Sequence, residues 1–124
     1  VLFALPGAFT PTCSAQHLPG YLNNAQDIKA KGVDAIACLS VNDVFVMGAW
    51  AKDQGVGDKV RMLADPDGAF TRAADMVFDL SARGLGKRSQ RYAIVVEDGV
   101  ITAVNAEGGG GLTISSAESI LEIL

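Results

Sequence analysis

The apolar residues of this chain follow two alternating patterns. Three short runs are almost continuously apolar and are bounded by polar or turn-forming residues: 1–5, 33–41 and 60–64. Runs of this kind are typical of strands that are buried on both faces of a sheet. Most of the segments between or after them have apolar residues at helical spacing or a capping residue at their start, and four are predicted helices: 13–31, 43–54, 69–76 and 115–124. The alternation predicts parallel strands joined by helical crossovers.

The last third of the chain adds antiparallel strands. Residues 92–96 and 100–104 are apolar and flank Asp98-Gly99, a frequent pair in tight β-hairpin turns. Residues 81–90 and 108–111 are polar or rich in glycine and predict loops. The sequence therefore predicts an α/β fold with a mixed central sheet and helices on both faces.

The first helix should be irregular. Pro19-Gly20 lies within its apolar stripe, and a proline inside a helix removes a backbone hydrogen bond and clashes with the preceding turn. We therefore expect a kink or a break near His17. A capping box over 115–118 should open the last helix.

Composition and charge narrow the classes of function. The chain has 124 residues, 49% hydrophobic and 19% charged, as expected for one soluble globular domain. Its net charge of −4 disfavours nucleic-acid binding, and its one basic stretch, 83–91, is typical of a solvated loop. Neither a membrane span nor a signal peptide is visible. Two cysteines do not make a disulfide framework, so we expect a reducing compartment, the cytoplasm by default.

The turn over 6–13 leads from the first strand to Cys13. Thr10 is suited to the N-cap and Pro11 to the first helical position. Cys13 then falls in the first helical turn, where unpaired N–H groups and the helix dipole favour a thiolate. Most free cysteines are small buried hydrophobic residues. The rigid turn, the helix start and the small neighbours of Cys13, which should leave the sulfur reachable, support a reactive thiol as well as a buried structural one, and both interpretations stay open at this point.

Two other residues could take part in chemistry. Cys38 lies in the middle of an apolar run, so a packed core thiol is the better interpretation. His17, the single histidine, follows Cys13 by four residues, as a Cys–His hydrolase or a metal site would require. No orienting acid or third ligand is evident, which favours a structural or hydrogen-bonding histidine.

No metal or cofactor site is predicted. Residues 65–68 match only a fragment of a calcium loop, so a turn is the better interpretation. Residues 84–88 lack the first glycine and the Ser or Thr of a phosphate-binding loop. Thr10 stands where the first cysteine of a Cys-x-x-Cys motif would be, which excludes a two-cysteine exchange there.

A longer motif surrounds the candidate nucleophile. Pro6, Thr10 and Cys13 have the spacing Pro-x-x-x-Thr-x-x-Cys, within the string Pro-Gly-Ala-Phe-Thr-Pro-Thr-Cys-Ser. The motif resembles the active-site signature of the peroxiredoxins, and the string resembles their type II branch, which includes peroxiredoxin five. Similar blocks follow in the same order, so the likeness covers almost the whole chain: 37–43, 64–68 and 91–99.

The resemblance implies a thioredoxin-like fold and a set of site residues. We expect residues 1–124 to form a single domain without the hairpin that the family places ahead of the first strand. By resemblance, Cys13 attacks peroxide, Thr10 hydrogen-bonds the sulfur and orients the peroxide, and Pro6 shields the thiolate from water. Arg91 matches the arginine that stabilises the sulfur and the departing oxygen, although from its sequence context alone it would be a surface residue.

The implied function is that of a thiol-dependent peroxidase, an antioxidant enzyme that reduces hydrogen peroxide and organic hydroperoxides through a sulfenic acid on Cys13. The implied reductants are glutathione with or without glutaredoxin, or thioredoxin, and the implied assembly is a homodimer. Some relatives carry a resolving cysteine where this chain has Ile114, which favours a one-cysteine enzyme. The alternative is a non-enzymatic peroxide sensor, or a redox-switched binding protein, that uses Cys13.

Overall fold

The computed structural model describes residues 1–108 and 110–124. This part of the chain forms seven strands: β1 (Leu2–Ala4), β2 (Ala37–Ser40), β3 (Arg61–Ala64), β4 (Val77–Asp79), β5 (Lys87–Ser89), β6 (Tyr92–Glu97) and β7 (Val100–Ala106). It also forms four α-helices: α1 (Leu18–Ala30), α2 (Val44–Gln54), α3 (Ala69–Ala73) and α4 (Ala117–Ile123). A π-helical turn over Cys13–His17 precedes α1, and a 3-10 turn covers Ser81–Arg83. None of these helices is long and apolar enough to cross a membrane.

The central sheet has five strands in the order β3-β2-β1-β6-β7. The first three strands of the chain are parallel to one another, because helical crossovers join them. Strand β6 is antiparallel to both of its neighbours, β1 and β7. The predicted mixed sheet is therefore confirmed.

The two faces of the sheet carry cores of different size. Phe3 pairs with Cys38 and Ala93, and these residues belong to the larger cluster, to which α1, α2 and α4 also contribute. The ring of Phe3 stacks on that of Tyr21 from α1 with centroids 3.9 Å apart. The next residue of β1, Ala4, belongs to a smaller cluster on the opposite face, which Met76 covers after the end of α3.

The predicted hairpin is confirmed. Its two turn residues, Asp98 and Gly99, have φ of +51° and +79°, the conformation that Asp-Gly pairs favour in two-residue hairpin turns. The register shifts between Val95 and Val96, where a β-bulge lies in the pairing with β7.

The prediction of a loop over 81–90 is wrong in part. Within it, β5 pairs antiparallel with β4 to form a small second sheet. Each of these strands has three residues, which is too short for an alternation of apolar and polar positions to be recognised. They form because they pair with each other, not because of a local sequence pattern. The predicted helix over 69–76 is also shorter, because Asp75 adopts a φ of +57° after α3 ends. The strands predicted at 1–5, 33–41 and 60–64 are formed in part only.

The irregularity predicted near His17 takes the form of a π-helical turn. The N–H of Leu18 donates to the carbonyl of Cys13, five residues back, which identifies the wide turn. Pro19 then lies in the first turn of α1, where its missing N–H has little cost. The helix therefore continues through Pro19 without a break.

The start of the last helix differs by one residue from the prediction. Ser116 is the N-cap, and its hydroxyl oxygen accepts from the N–H of Ser119 at 3.2 Å. Ser115 is fully buried and makes other contacts. The predicted loop at 108–111 contains Gly109, which lies outside the described residues.

Candidate active site

The connection between β1 and the first helix is a tight turn. The N–H and the hydroxyl of Thr10 both donate to the carbonyl of Gly7, at 3.4 and 2.6 Å. Between them, Phe9 has a φ of +63°, a left-handed conformation that is uncommon for a bulky side chain. The N–H of Ala8 donates to Asn42 Oδ1 at 2.9 Å, which ties the turn to the loop after β2. Strain that surrounding contacts maintain in this way is frequent at functional sites.

Arg88 on β5 holds this turn from the other side. Its Nη1 lies 3.4 Å from the carbonyl oxygens of both Pro6 and Val41, and its Nε donates to the carbonyl of Leu85 at 2.8 Å. Gly7 allows this approach, because a Cβ at that position would lie 2.9 Å from Arg88 Nη1. Sequence reasoning missed this role of Arg88, since it depends on the small second sheet.

Cys13 lies in the first turn of the helix that follows. The N–H of Ser14 donates to the carbonyl of Thr10 at 2.9 Å, so helical hydrogen bonding begins at Thr10, as predicted. The Cys13 side chain is only 1% exposed. The prediction of a reachable sulfur is therefore wrong, because Cys13 belongs to the large core cluster even though its small neighbours are half-buried or exposed.

Trp50 of α2 supports the same helical turn. Its indole N–H donates to Ser14 Oγ at 3.1 Å, and its ring centroid lies 6.5 Å from that of Phe9. Trp50 is fully buried and is the single tryptophan of the chain.

Arg91 stands directly before β6 and reaches the sulfur. Its Nη2 lies 3.4 Å from Cys13 Sγ, and the residue is 2% exposed. The contact follows from the sheet order, since the antiparallel pairing of β1 with β6 places Tyr92 opposite Ala4. A cation this close stabilises negative charge on the sulfur.

His17 holds the guanidinium of Arg91. The His17 Nδ1 lies 2.9 Å from Arg91 Nη1, and its Nε2 lies 3.1 Å from the carbonyl of Ser115. Because the guanidinium only donates and the carbonyl only accepts, Nδ1 must be the unprotonated nitrogen and Nε2 must carry the hydrogen. Burial and then the charge of Arg91 lower the pKa of His17 to about 4. His17 is thus the hydrogen-bonding histidine that the sequence favoured, and both of its ring nitrogens are engaged away from the sulfur.

The Thr10 hydroxyl does not make the contact that the resemblance implies. Its one proton is donated to Gly7, and Thr10 and Cys13, both among the described residues, form no side-chain hydrogen bond. The lone pairs of this oxygen can still accept a hydrogen bond from a molecule in the cleft that Thr10 lines.

An open cleft of about 650 Å³ is lined by Arg91 and by the turn that precedes Cys13. Its walls include the site residues Pro6, Thr10 and Arg91. Most of the other residues that line the cleft are apolar, and they include Phe9, Pro11, Phe78, Leu80 and Leu85. Arg83 also lines it and adds a second cation. A cavity of about 730 Å³ at the other end of the sheet, beside Val1, contains none of the site residues. The structure thus brings Pro6, Thr10 and Arg91 together in the smaller of these two cavities, and Cys13 lies behind its wall in contact with Arg91.

Cys38 is a core residue, as predicted. It is fully buried on β2 opposite Phe3. Burial raises the pKa of its thiol well above the ordinary value, and the nearby Cys13 contributes in the same direction. Within 1–108 and 110–124, no group of three or more His, Cys, Asp or Glu side chains is arranged to hold a metal ion.

Comparison with known proteins identifies the family. The sequence pattern described as Redoxin matches residues 1–121. This chain belongs to the Redoxin family. Peroxiredoxin-2C from Oryza sativa subsp. japonica is 53% identical to this redoxin over 124 residues, and the match covers all of the redoxin and 76% of that protein. Peroxiredoxin-2E, chloroplastic, from Arabidopsis thaliana is 52% identical over 126 residues.

The match to the Arabidopsis protein covers all of the redoxin and 54% of that relative, so the redoxin spans about half of its length. Among solved structures, reduced Prx3 from Vibrio vulnificus in complex with hydrogen peroxide superimposes with a TM-score of 0.95 at 51% identity. That match covers 99% of the redoxin and 79% of the Vibrio chain. The peroxiredoxin resemblance and the thioredoxin-like α/β fold are confirmed.

The lowered pKa of His17 predicts how stability depends on pH. The unfolded chain binds a proton at His17 near pH 6.5, whereas the folded chain does so near pH 4. Stability from neutral His17 is therefore complete above pH 6.5 and is lost as the pH falls toward 4. Between about pH 7 and about pH 4.5, the redoxin should lose about 2 kcal/mol more unfolding free energy than a His17→Gln variant. Urea titrations at both pH values measure this difference, and equal losses would contradict a neutral buried His17.

Proposed function

We propose that this chain is a thiol peroxidase that reduces hydrogen peroxide and organic hydroperoxides through Cys13, with an antioxidant role in redox homeostasis. The observation that carries the proposal is the position of Arg91, whose guanidinium lies 3.4 Å from Cys13 Sγ and which also lines an open cleft. The Vibrio relative, which was crystallised with hydrogen peroxide, supports a small peroxide as the ligand of this cleft.

In the proposed reaction, the Cys13 thiolate attacks one oxygen of the peroxide. A sulfur–oxygen bond forms, the oxygen–oxygen bond breaks, and the departing oxygen takes a proton to become water or an alcohol. The sulfur is oxidised to a sulfenic acid while the peroxide is reduced. Arg91 stabilises negative charge first on the sulfur and then on the departing oxygen. The lone pairs of Thr10 Oγ1 accept a hydrogen bond from the peroxide, and Pro6 keeps water from the sulfur.

The sulfenic acid must then be returned to a thiol by a second sulfur. Cys38 is unsuited to this step, because it is fully buried within the sheet. Ile114, at the position of the resolving cysteine in some relatives, has no thiol. We therefore propose an external reductant: glutathione with or without glutaredoxin, or thioredoxin. Since Cys13 is only 1% exposed, the first helical turn must move to admit the reductant, and Arg83 in the cleft wall favours an anionic thiol such as glutathione.

A homodimer remains a proposal. Three large apolar side chains near the turn at 6–10 and the start of α2 support it: Phe9 is 53% exposed, Val44 is 65% exposed and Phe45 is 84% exposed. The contact of Ala8 with Asn42 joins these two segments into one surface. Adjacent exposed apolar groups of this size are typical of interaction surfaces.

The compartment also remains a prediction. The sequence favours a reducing environment, of which the cytoplasm is one. The Arabidopsis relative is chloroplastic by name, and a chloroplast is therefore the alternative compartment for this chain.

Cys13 alone should carry the reaction. We expect Cys13→Ser to abolish peroxide consumption in the presence of excess peroxide and thiol, whereas Cys38→Ser should retain most of it. Because both variants replace one cysteine by serine, the comparison shows which of the two sulfurs reacts. Loss of activity in both folded variants would contradict the assignment. A wild-type chain that stops after about one equivalent of peroxide would instead be a sensor, because an enzyme must turn over.

Arg91 should be required for its geometry as well as its charge. Arg91→Ala should lower the rate constant for peroxide by about 10²–10³-fold, the usual effect of removing one electrostatic donor. Arg91→Lys should also be impaired, since a lysine lacks the fixed fork of donors that contacts both sulfur and histidine. Stopped-flow measurement of Cys13 oxidation gives these constants, with Arg61→Lys on exposed β3 as the control. If Arg91→Ala reacts with peroxide at the wild-type rate constant, Arg91 has only a structural role.

We expect an external thiol, and not Cys38, to react with the sulfenic acid on Cys13. One equivalent of peroxide followed by glutathione should give a mixed disulfide on Cys13, detected by mass spectrometry of the intact chain and its peptides. Cys38 should remain a free thiol because a disulfide needs Cα atoms within about 7 Å and suitably directed side chains. Rapid formation of a Cys13–Cys38 disulfide in the native protein would identify a two-cysteine enzyme and refute this prediction.

A further inference from the structure

A single carboxylate organises the segment that leads into α4. Glu107, directly after β7, accepts four hydrogen bonds from two residues. Thr113 donates its N–H at 2.7 Å and its hydroxyl at 2.5 Å, and Ser115 donates its N–H at 2.8 Å and its hydroxyl at 2.7 Å. Ser115 is therefore held by both its backbone and its side chain.

The carbonyl of the same Ser115 leads to the active site. It accepts from His17 Nε2 at 3.1 Å and from the Tyr21 hydroxyl at 2.8 Å. His17 in turn accepts from Arg91 Nη1 at 2.9 Å, and Arg91 Nη2 reaches Cys13 Sγ. The position of the Ser115 carbonyl thus determines the position of the His17 ring.

The contacts form a closed ring. Besides its carboxylate contacts, Glu107 donates its backbone N–H to the carbonyl of Arg91 at 3.0 Å. One path from Glu107 therefore fixes the backbone of Arg91, and the other fixes its guanidinium through Ser115 and His17. Both paths end on the residue that touches the reacting sulfur.

We propose that Glu107 is a positioning residue for the reaction at Cys13, which fixes the Arg91 guanidinium through the Ser115 carbonyl and His17. The inference rests on the proposed peroxidase function, because it assigns to Glu107 the orientation of the group that stabilises the departing oxygen.

The charge of the Glu107 carboxylate favours a positioning role over one that only holds the loop before α4. Burial would raise the pKa of Glu107, but the hydrogen bonds from Thr113 and Ser115 outweigh burial and lower it to about 2, so the carboxylate stays ionised at neutral pH. An ionised carboxylate accepts hydrogen bonds more strongly than a neutral group. The ring therefore limits the movement of a long side chain whose alignment the reaction requires.

The test separates positioning from folding. Glu107→Met removes both carboxylate oxygens and keeps a side chain of similar length. Glu107→Gln keeps one oxygen, which can still accept from the three groups that donate to Oε2: the Thr113 N–H, the Ser115 N–H and the Ser115 hydroxyl. Two rates are measured for Cys13 in each folded variant: oxidation by one equivalent of hydrogen peroxide, with the sulfenic acid trapped by dimedone, and alkylation by iodoacetamide. Alkylation requires the thiolate but not the stabilisation of a departing peroxide oxygen. Glu122→Met on the exposed side of α4 is the matched control.

We expect Glu107→Met to slow oxidation by about 10-fold or more, within the range that small misplacements cause, and to change alkylation much less. Glu107→Gln should recover most of the lost rate. In an Arg91→Ala background, Glu107→Met should have little further effect, because the two changes then act on one interaction. Equal slowing of both reactions, or the same loss with and without Arg91, would overturn the proposal.

A second variant covers the case in which Glu107→Met does not fold. Thr113→Val together with Ser115→Ala removes both hydroxyl contacts but keeps the carboxylate, and it should slow oxidation in the same Arg91-dependent way. A wild-type rate in that folded variant would also overturn the proposal. Failure of the peroxidase function has a different signature, since wild-type Cys13 would then be oxidised no more than once or not at all.

Discussion

The burial of one positive charge beside one sulfur is the constraint on which this structure depends. Arg91 is 2% exposed, and its three observed hydrogen-bond partners are the carbonyl of Gly110, the imidazole of His17 and the sulfur of Cys13. None of these partners is a carboxylate. A buried cation is costly unless acceptors surround it, and the sulfur of Cys13 is one of the three acceptors that Arg91 contacts. The contact that satisfies Arg91 is therefore also the one that would stabilise a negative sulfur in the proposed reaction.

The same burial sets two demands that oppose each other. Close packing around Cys13 keeps water from the sulfur and strengthens its interaction with Arg91. It also closes the sulfur to large molecules, since Cys13 is 1% exposed and does not line the cleft beside Arg91. Under the proposed function, access of a thiol reductant would therefore require the first helical turn to change. The π-helical turn at Cys13–His17 is the irregular segment nearest to the sulfur and the natural place for that change.

The parts of the site that lie close together in the sequence could be predicted. The start of the helix at Thr10 and the entry of Cys13 into its first turn follow from residues 6–13 alone. The engagement of Thr10 by Gly7 could not be predicted, because it depends on the left-handed backbone of Phe9. The parallel and antiparallel directions of the main strands followed from the alternation of apolar runs and from the hairpin. The second sheet could not be predicted, since its strands are too short to show a pattern.

The long-range contacts were beyond local reasoning. His17 and Arg91 are 74 positions apart, and only the placement of β6 beside β1 brings them together. The resemblance identified Arg91 but said nothing of the histidine that orients it. Glu107 carried no signal, and Ser115 was predicted only as part of a capping box, because an acidic residue after a strand and a serine before a helix are ordinary at these positions. Their significance comes from the carbonyl that they hold in place.

The contact between Trp50 and Ser14 links the fluorescence of the single tryptophan to the helical turn that contains Cys13. The indole N–H is bonded to the hydroxyl of the residue that follows Cys13, at 3.1 Å, and no other tryptophan contributes to the emission of the chain. Indole fluorescence depends on hydrogen bonding and on contact with water, so a movement of this helical turn that broke the contact would change the emission. If admission of a reductant moves the turn, as the proposed function requires, the unlabelled protein would report that movement through its own tryptophan.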